Sequence, residues 1–234
     1  MKKPYFTNFR KAIIRILSLV LIVTSVIPAK WAFGKDTENK RIYEILIDVN
    51  ELRLHLIDKK TKEFVKSYPV AVGRLDLPSP LGTWKIINKG EWNKGFGGRW
   101  LGLNVPWGTY GIHGTTIPSS IGAYASHGCI RMFNSDIKEL YDYVPYGTLV
   151  IIYGGSNWMF TSYTRVIVPG DRGADVYDTQ RRLKDLGYYT GSLDGIYGEG
   201  MKASILKFRK DNKLKESHDI DRTLLQALDI LKFE

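Results

Sequence analysis

The sequence predicts a mainly β region followed by a small all-α region of three helices. Two observations carry this expectation. Short β-rich runs broken by turn residues fill residues 41–153, and apolar residues recur at helical spacing over 168–230. Between them, Gly154-Gly155-Ser156-Asn157 opens a break, so 154–167 reads as a linker.

Ile42 to Val49 and Leu52 to Ile57 are β-rich and are separated only by Asn50-Glu51, the pattern of a hairpin. Further strands are expected at Phe64 to Val72, Thr83 to Ile87, Gly111-Ile112 and Leu149 to Tyr153. Gly73, Pro78, Pro80-Leu81-Gly82, Gly90 and Gly95 to Gly98 punctuate them. Ser135 to Tyr143 is the one helical stretch here, with Ile137, Leu140, Tyr141 and Val144 at helical spacing and Asp136 as a candidate cap. Later, Val176, Gln180, Leu183 and Leu186 outline a helix stopped by Gly187. Met201, Ile205 and Phe208 mark a second. Asp221 or Thr223 starts a third through Leu224, Leu225 and Leu228.

The 234 residues carry 34 Lys+Arg against 24 Asp+Glu. Six of the basic residues and no acid lie in Met1–Gly34, so the remainder holds only 28 against 24. No dense basic cluster interleaved with aromatics follows, and nucleic-acid binding is not expected. The terminus instead reads as an export segment. Lys2, Lys3, Arg10, Lys11 and Arg15 precede the apolar run Ile16–Ile27, closed by Pro28-Ala29. From Ala12 to Ile27 there are 16 residues, fewer than the roughly 20 that span a bilayer, so residues 1–34 are a signal peptide or an N-terminal membrane anchor. On either reading the chain is expected to work outside the cytoplasm, touching the membrane only through this segment.

Cys129 is the single cysteine, which excludes intramolecular disulfides and cysteine-rich zinc sites. A buried small hydrophobe, an intermolecular link and a reactive thiol stay open for it. A thiol with an ordinary pKa is mostly protonated at neutral pH, so a nucleophilic role needs an activating base. Two of the four histidines flank it: His113, 16 residues upstream, and His127, two residues before. An extended segment would put His127 and Cys129 on one face. Gly128 permits a tight turn that aims N–H groups at one point, and Arg131 supplies a charge for a carboxylate or a developing anion. A three-ligand zinc site of His113, His127 and Cys129 is the competing reading, although the spacing is not a familiar one.

These residues carry a resemblance. Tyr110-Gly111-Ile112-His113-Gly114-Thr115 through Ser126-His127-Gly128-Cys129-Ile130-Arg131-Met132 resembles the active-site signature of bacterial L,D-transpeptidases with a YkuD-type catalytic domain. Pro78-Ser79-Pro80-Leu81-Gly82-Thr83-Trp84 and Gly98-Arg99-Trp100-Leu101-Gly102-Leu103 extend the likeness over 41–153. The resemblance implies a β-sandwich-like catalytic domain acting on the peptide stems of peptidoglycan without metal or organic cofactor. It implies Cys129 as nucleophile, His113 as proton donor and acceptor, and the Gly114 carbonyl as the group orienting His113. His127, Gly128, Arg131 and Ser126 would form the oxyanion and support set. Asn stands at the Arg131 position in many family members. Tyr110, Trp100 and Thr115 would contact substrate.

The implied reaction releases D-Ala through a Cys thioester and joins third-position residues of two stems. Hydrolysis or D-amino-acid exchange at the same site, a papain-like Cys/His peptidase and a non-catalytic wall-binding protein are the alternatives. In papain-like enzymes Cys precedes His, the reverse of the order here. The tail, with Gly170-Asp171-Arg172-Gly173-Ala174-Asp175-Val176, Gln180, Leu186-Gly187-Tyr188 and Asp194-Gly195-Ile196-Tyr197-Gly198, resembles the three-helix peptidoglycan-binding domain of wall hydrolases over 168–230. Met201, Arg209 and Asn212-Lys213 depart from its usual Thr, Gln and Gly.

Overall fold

The computed structural model describes residues 41–92, 96–155 and 166–230. The export-segment reading of 1–34 lies outside these residues, as does most of the expected linker. Among the described residues no helix is long and apolar enough to cross a membrane.

Alternation builds the β region. Strands β1 (Tyr43–Asp48) and β2 (Arg53–Asp58) bury Ile45, Ile47, Leu54 and Leu56 on one face and form the expected antiparallel hairpin. Its turn is organised by Asp48, whose Oδ1 accepts from the N–H groups of Asn50 and Glu51 at 2.8 and 3.1 Å. Asp58 repeats the device before β3 (Phe64–Pro69), accepting from Lys60 and Thr61. β4 (Val72–Gly73), β5 (Gly82–Gly90), β6 (Trp100–Leu103), β7 (Tyr110–His113), β8 (Tyr124–Ser126), β9 (Ile130–Arg131) and β10 (Leu149–Tyr153) follow.

Eight of them make one sheet in the order β3-β2-β1-β10-β5-β6-β7-β9, and β4 pairs with β8. The parallel pairs are β1–β10, β7–β9 and β4–β8. One apolar cluster runs through the inward residues of the large sheet, from Leu54 and Ile45 through Val150, Trp84 and Leu101 to Ile112 and Ile130. Helix α1 (Asn134–Tyr143) seals it with Ile137 and Leu140. Phe133, not Asp136, is the N-cap of α1, and it makes no side-chain cap bond. Asp136 lies in the first turn, where its charge suits the positive end of the helix.

Three strands were not expected from the sequence. β8 and β9 are three and two residues long, too short for a period to register. β6 is buried on both faces and shows no polar alternation.

The all-α region has its own core. α2 (Ala174–Asp185), α3 (Glu199–Asp211) and α4 (Arg222–Ala227) enclose Val176, Leu183, Met201, Ile205, Phe208, Leu224 and Leu228. Asp221 caps α4, accepting from Leu224 N–H at 2.8 Å. Gln180 sits on the apolar face of α2 yet is satisfied. Its Nε2 donates to Asp194 Oδ1 (2.8 Å) and the Ile196 carbonyl (3.0 Å), and its Oε1 accepts from Gly195 N–H (2.8 Å).

Candidate active site

The site lies on the outer face of the sheet where β7 and β9 run parallel. Their register pairs Ile112 with Ile130 and His113 with Arg131. Both isoleucines are buried in the core, so alternation puts His113 and Arg131 on the opposite face. Cys129 immediately precedes Ile130 and falls level with Gly111, whose backbone reaches the thiol. Gly111 has no side chain to fill the space between Cys129 and His113. A Cβ there would also stand 2.6 Å from the Trp100 ring.

His113 is 6% exposed and walled by aromatic rings. Trp100 stacks on it at 5.7 Å, Phe96 meets it edge-on at 4.8 Å, and Trp92 stacks behind Trp100 at 5.5 Å. Its Nδ1 donates to the Gly114 carbonyl at 2.5 Å, which leaves Nε2 without a hydrogen-bond partner among the described residues. Loss of water around the ring lowers its pKa to about 4; the Gly114 bond opposes this and the Arg131 charge adds to it. Burial raises the Cys129 pKa, opposed by the Gly111 backbone and by Arg131. Thiol and imidazole are therefore both neutral at pH 7. Arg131 acts on both in one sense, disfavouring imidazolium and favouring thiolate.

The turn that carries the thiol is rigid for identifiable reasons. Gly128 has φ +107°, and a Cβ there would meet Tyr110 Cε1 at 2.6 Å and the Pro78 carbonyl at 3.1 Å. Ser126 is buried and braces the turn twice, accepting from Gly128 N–H at 3.0 Å and donating to the Cys129 carbonyl at 2.5 Å. Gly128 N–H, expected as an oxyanion donor, is thus already engaged. Among the described residues the N–H groups of His127 and Cys129 have no acceptor.

The positive φ also breaks the extended geometry expected of His127-Gly128-Cys129. The His127 ring turns outward to Arg74, with Nε2 3.1 Å from Nη1, and Arg74 in turn pairs with Asp76. That guanidinium occupies Nε2, one of the two ring nitrogens that the zinc reading could use. Among the described residues no cluster of three metal-ligating side chains occurs.

Two of the expected substrate contacts are as buried as His113 itself. Trp100 is buried and serves as the floor beneath His113. Thr115 is also buried, and its Oγ1 accepts from Ile117 N–H at 3.0 Å, closing a turn. Tyr110 is half-buried, its phenol pKa raised by burial, and it stands beside the Gly128 turn.

Asn134 was missed from the sequence. It opens α1, and its Oδ1 accepts from Thr115 N–H at 2.8 Å and so fixes the strand end carrying His113-Gly114. Gly97 packs against the same amide, too closely for any side chain. A pairing between residues 19 apart in sequence leaves no local signature.

Comparison with known proteins follows the same division. Residues 42–152 match the family model of the YkuD L,D-transpeptidase catalytic domain, and residues 172–228 match that of a peptidoglycan binding domain. YkuD of Bacillus licheniformis, named as an L,D-transpeptidase, is 45% identical over 112 residues, covering 47% of this chain and 65% of the relative. Its namesake from Bacillus subtilis is 43% identical over the same length, again covering 47% and 65%. The chain thus spans 65% of the length of either relative. Among solved structures, an L,D-transpeptidase from Stackebrandtia nassauensis is 26% identical, covering 54% of this chain and 62% of that one, with a TM-score of 0.41. The chain carries a YkuD-type L,D-transpeptidase catalytic domain followed by a peptidoglycan-binding domain.

Proposed function

We propose that the protein is a cysteine-dependent L,D-transpeptidase of the bacterial cell wall, with a catalytic domain over 41–153, a linker over 154–167 and a wall-binding domain over 168–230. The observation that carries the reading is His113. Its Nδ1 is pinned to the Gly114 carbonyl while Nε2 stays unpaired on the face it shares with Cys129. Such an imidazole is oriented and neutral, as a general base must be.

In the first step the Cys129 Sγ–H proton passes to His113 Nε2 as sulfur attacks the carbonyl between the third residue and D-Ala of a tetrapeptide stem. The His127 and Cys129 N–H groups are the free donors for the oxyanion, and Arg131 adds positive charge. Collapse breaks the C–N bond, the proton returns to the departing amine, and D-Ala leaves a thioester on Cys129. A side-chain amine of a second stem then attacks the thioester, gives its proton to His113 and releases the thiol. The product links two third-position residues. No metal or organic cofactor takes part. Water in place of the amine makes the enzyme an L,D-carboxypeptidase, and a free D-amino acid makes it an exchange enzyme.

The peptidoglycan-binding domain supports peptidoglycan as the partner and the cell wall as the place of work, with Met1–Gly34 as the export or anchoring segment. Incubation with disaccharide-tetrapeptide and mass spectrometry of the products tests the proposal. Loss of D-Ala with dimer formation, a thioester on the wild type and an inert Cys129→Ala protein are expected. Full activity of Cys129→Ala overturns the nucleophile, and loss of D-Ala without dimer moves the reading to hydrolysis.

A further inference from the structure

The small helical domain packs against the catalytic domain at an aromatic cluster, and that cluster leads to the nucleophile by two routes. Tyr177 of α2 projects away from its own core and packs in the core of the β region. Its ring meets Trp84 at 5.8 Å and Trp107 at 5.6 Å, and Trp84 and Trp107 meet each other edge to face at 5.2 Å. The Gly195 turn closes over the Trp107 ring so tightly that no side chain fits, and its φ of +65° suits glycine independently.

From Trp107 the first route continues to the Tyr110 ring, edge to face at 6.5 Å, and Tyr110 lies directly on Gly128. From Trp84 the second runs through its indole N–H, which donates to the Pro80 carbonyl at 2.8 Å. The same segment presents the Pro78 carbonyl to Gly128. Gly128 is therefore held between Tyr110 and Pro78, and each rests on a tryptophan that Tyr177 wedges in place. Close-packed aromatic contacts of this kind transmit displacement because the interior has no slack.

We infer that the helical domain is a positioning element of the active site, setting through Tyr177 and Gly195 the placement of the turn that carries Cys129. The wall-binding domain then does more than tether the enzyme. It completes the support of the thiol, and Tyr177 and Gly195 are positioning residues that touch neither substrate nor thiol. The inference rests on the transpeptidase reading for its turnover assay, but its thiol assay is independent of that reading.

The test compares the full chain with Tyr177→Ala, Gly195→Val and Tyr177→Phe, measuring kcat and KM on soluble disaccharide-tetrapeptide and the pH profile of Cys129 alkylation by iodoacetamide. A soluble substrate this small needs no tethering to the sacculus. Tyr177→Ala leaves the apolar core of the helical domain intact, and its helical circular dichroism is expected to match the wild type. About tenfold lower kcat with KM little changed, a displaced alkylation profile in both disruptive variants, and recovery of both by Tyr177→Phe are expected, since misplacement by an ångström or less costs rates of this order. Unchanged kcat and an unchanged alkylation profile, with activity lost only on intact sacculi, overturn the inference and leave the domain as a tether. If the wild type itself fails to turn over, the transpeptidase reading falls, and the alkylation profiles alone decide the positioning role.

Discussion

At Cys129 and His113, desolvation acts on both partners in the same direction, favouring the neutral form of each. In the proposed reaction, proton transfer therefore accompanies attack, with no standing thiolate–imidazolium pair before it. With His113 as the proposed base, this sets the acid limb of activity. His113 must be neutral to accept a proton, and its pKa is lowered to about 4, so kcat/KM is expected to persist through pH 6 and fall only near pH 4. A limb at the ordinary histidine value near 6.5 would contradict this. Linkage gives a second readout. A histidine whose pKa is depressed by folding stabilises the fold above its unfolded pKa, and that stability is lost as pH falls. Chemical denaturation should therefore show about 3 kcal/mol lost between pH 6.5 and 4 that a His113→Gln protein does not lose. Sequence spacing picked out Cys129, His113 and the Gly128 turn. It could not show that Gly128 N–H is taken by Ser126, or that His127 faces Arg74, because both follow from one positive φ.

The helices of the C-terminal domain end in one recurring geometry. After α2, Gly187 has φ +79°, and Tyr188 N–H returns to the Leu183 carbonyl at 2.8 Å. After α3 and α4 the corresponding left-handed residues are Lys213 (φ +56°) and Asp229 (φ +56°), with Leu214 N–H on the Arg209 carbonyl and Ile230 N–H on that of Leu225. Only the first stop was legible in the sequence, because only there does glycine mark it. Lys213 holds a conformation that crowds its Cβ, so Lys213→Gly is expected to raise stability by about 0.5–1 kcal/mol in urea denaturation. An unchanged or lowered midpoint would contradict that. Arg209, another departure from the family pattern, is fully buried. It donates to the Lys215 and Asp219 carbonyls and pairs with Asp221 at 2.8 Å, so it pins the segment that leads into α4. The capping Asp221 thereby also neutralises a buried charge.

At the scale of the molecule, the described residues form two apolar cores that meet at Trp84, Trp107 and Tyr177. Cores coupled by a tight aromatic contact should melt together, so differential scanning calorimetry is expected to give one transition for the wild type and two for Tyr177→Ala. Two transitions in the wild type would show the domains to be independent. The sequence by itself determined the two-region plan, the hairpin that opens the sheet and the apolar faces of the helices, and it singled out Cys129 and His113 as candidates. All of these rest on period, turn chemistry or residue type, which are local. Only the tertiary structure decided which face His113 and Cys129 share, that Asn134 and Ser126 hold their supports, that Trp100 and Thr115 are buried, and that Tyr177 reaches the other domain. Each of those depends on contacts between residues remote in the chain, and strand pairing and aromatic packing across such distances leave no periodic trace in sequence.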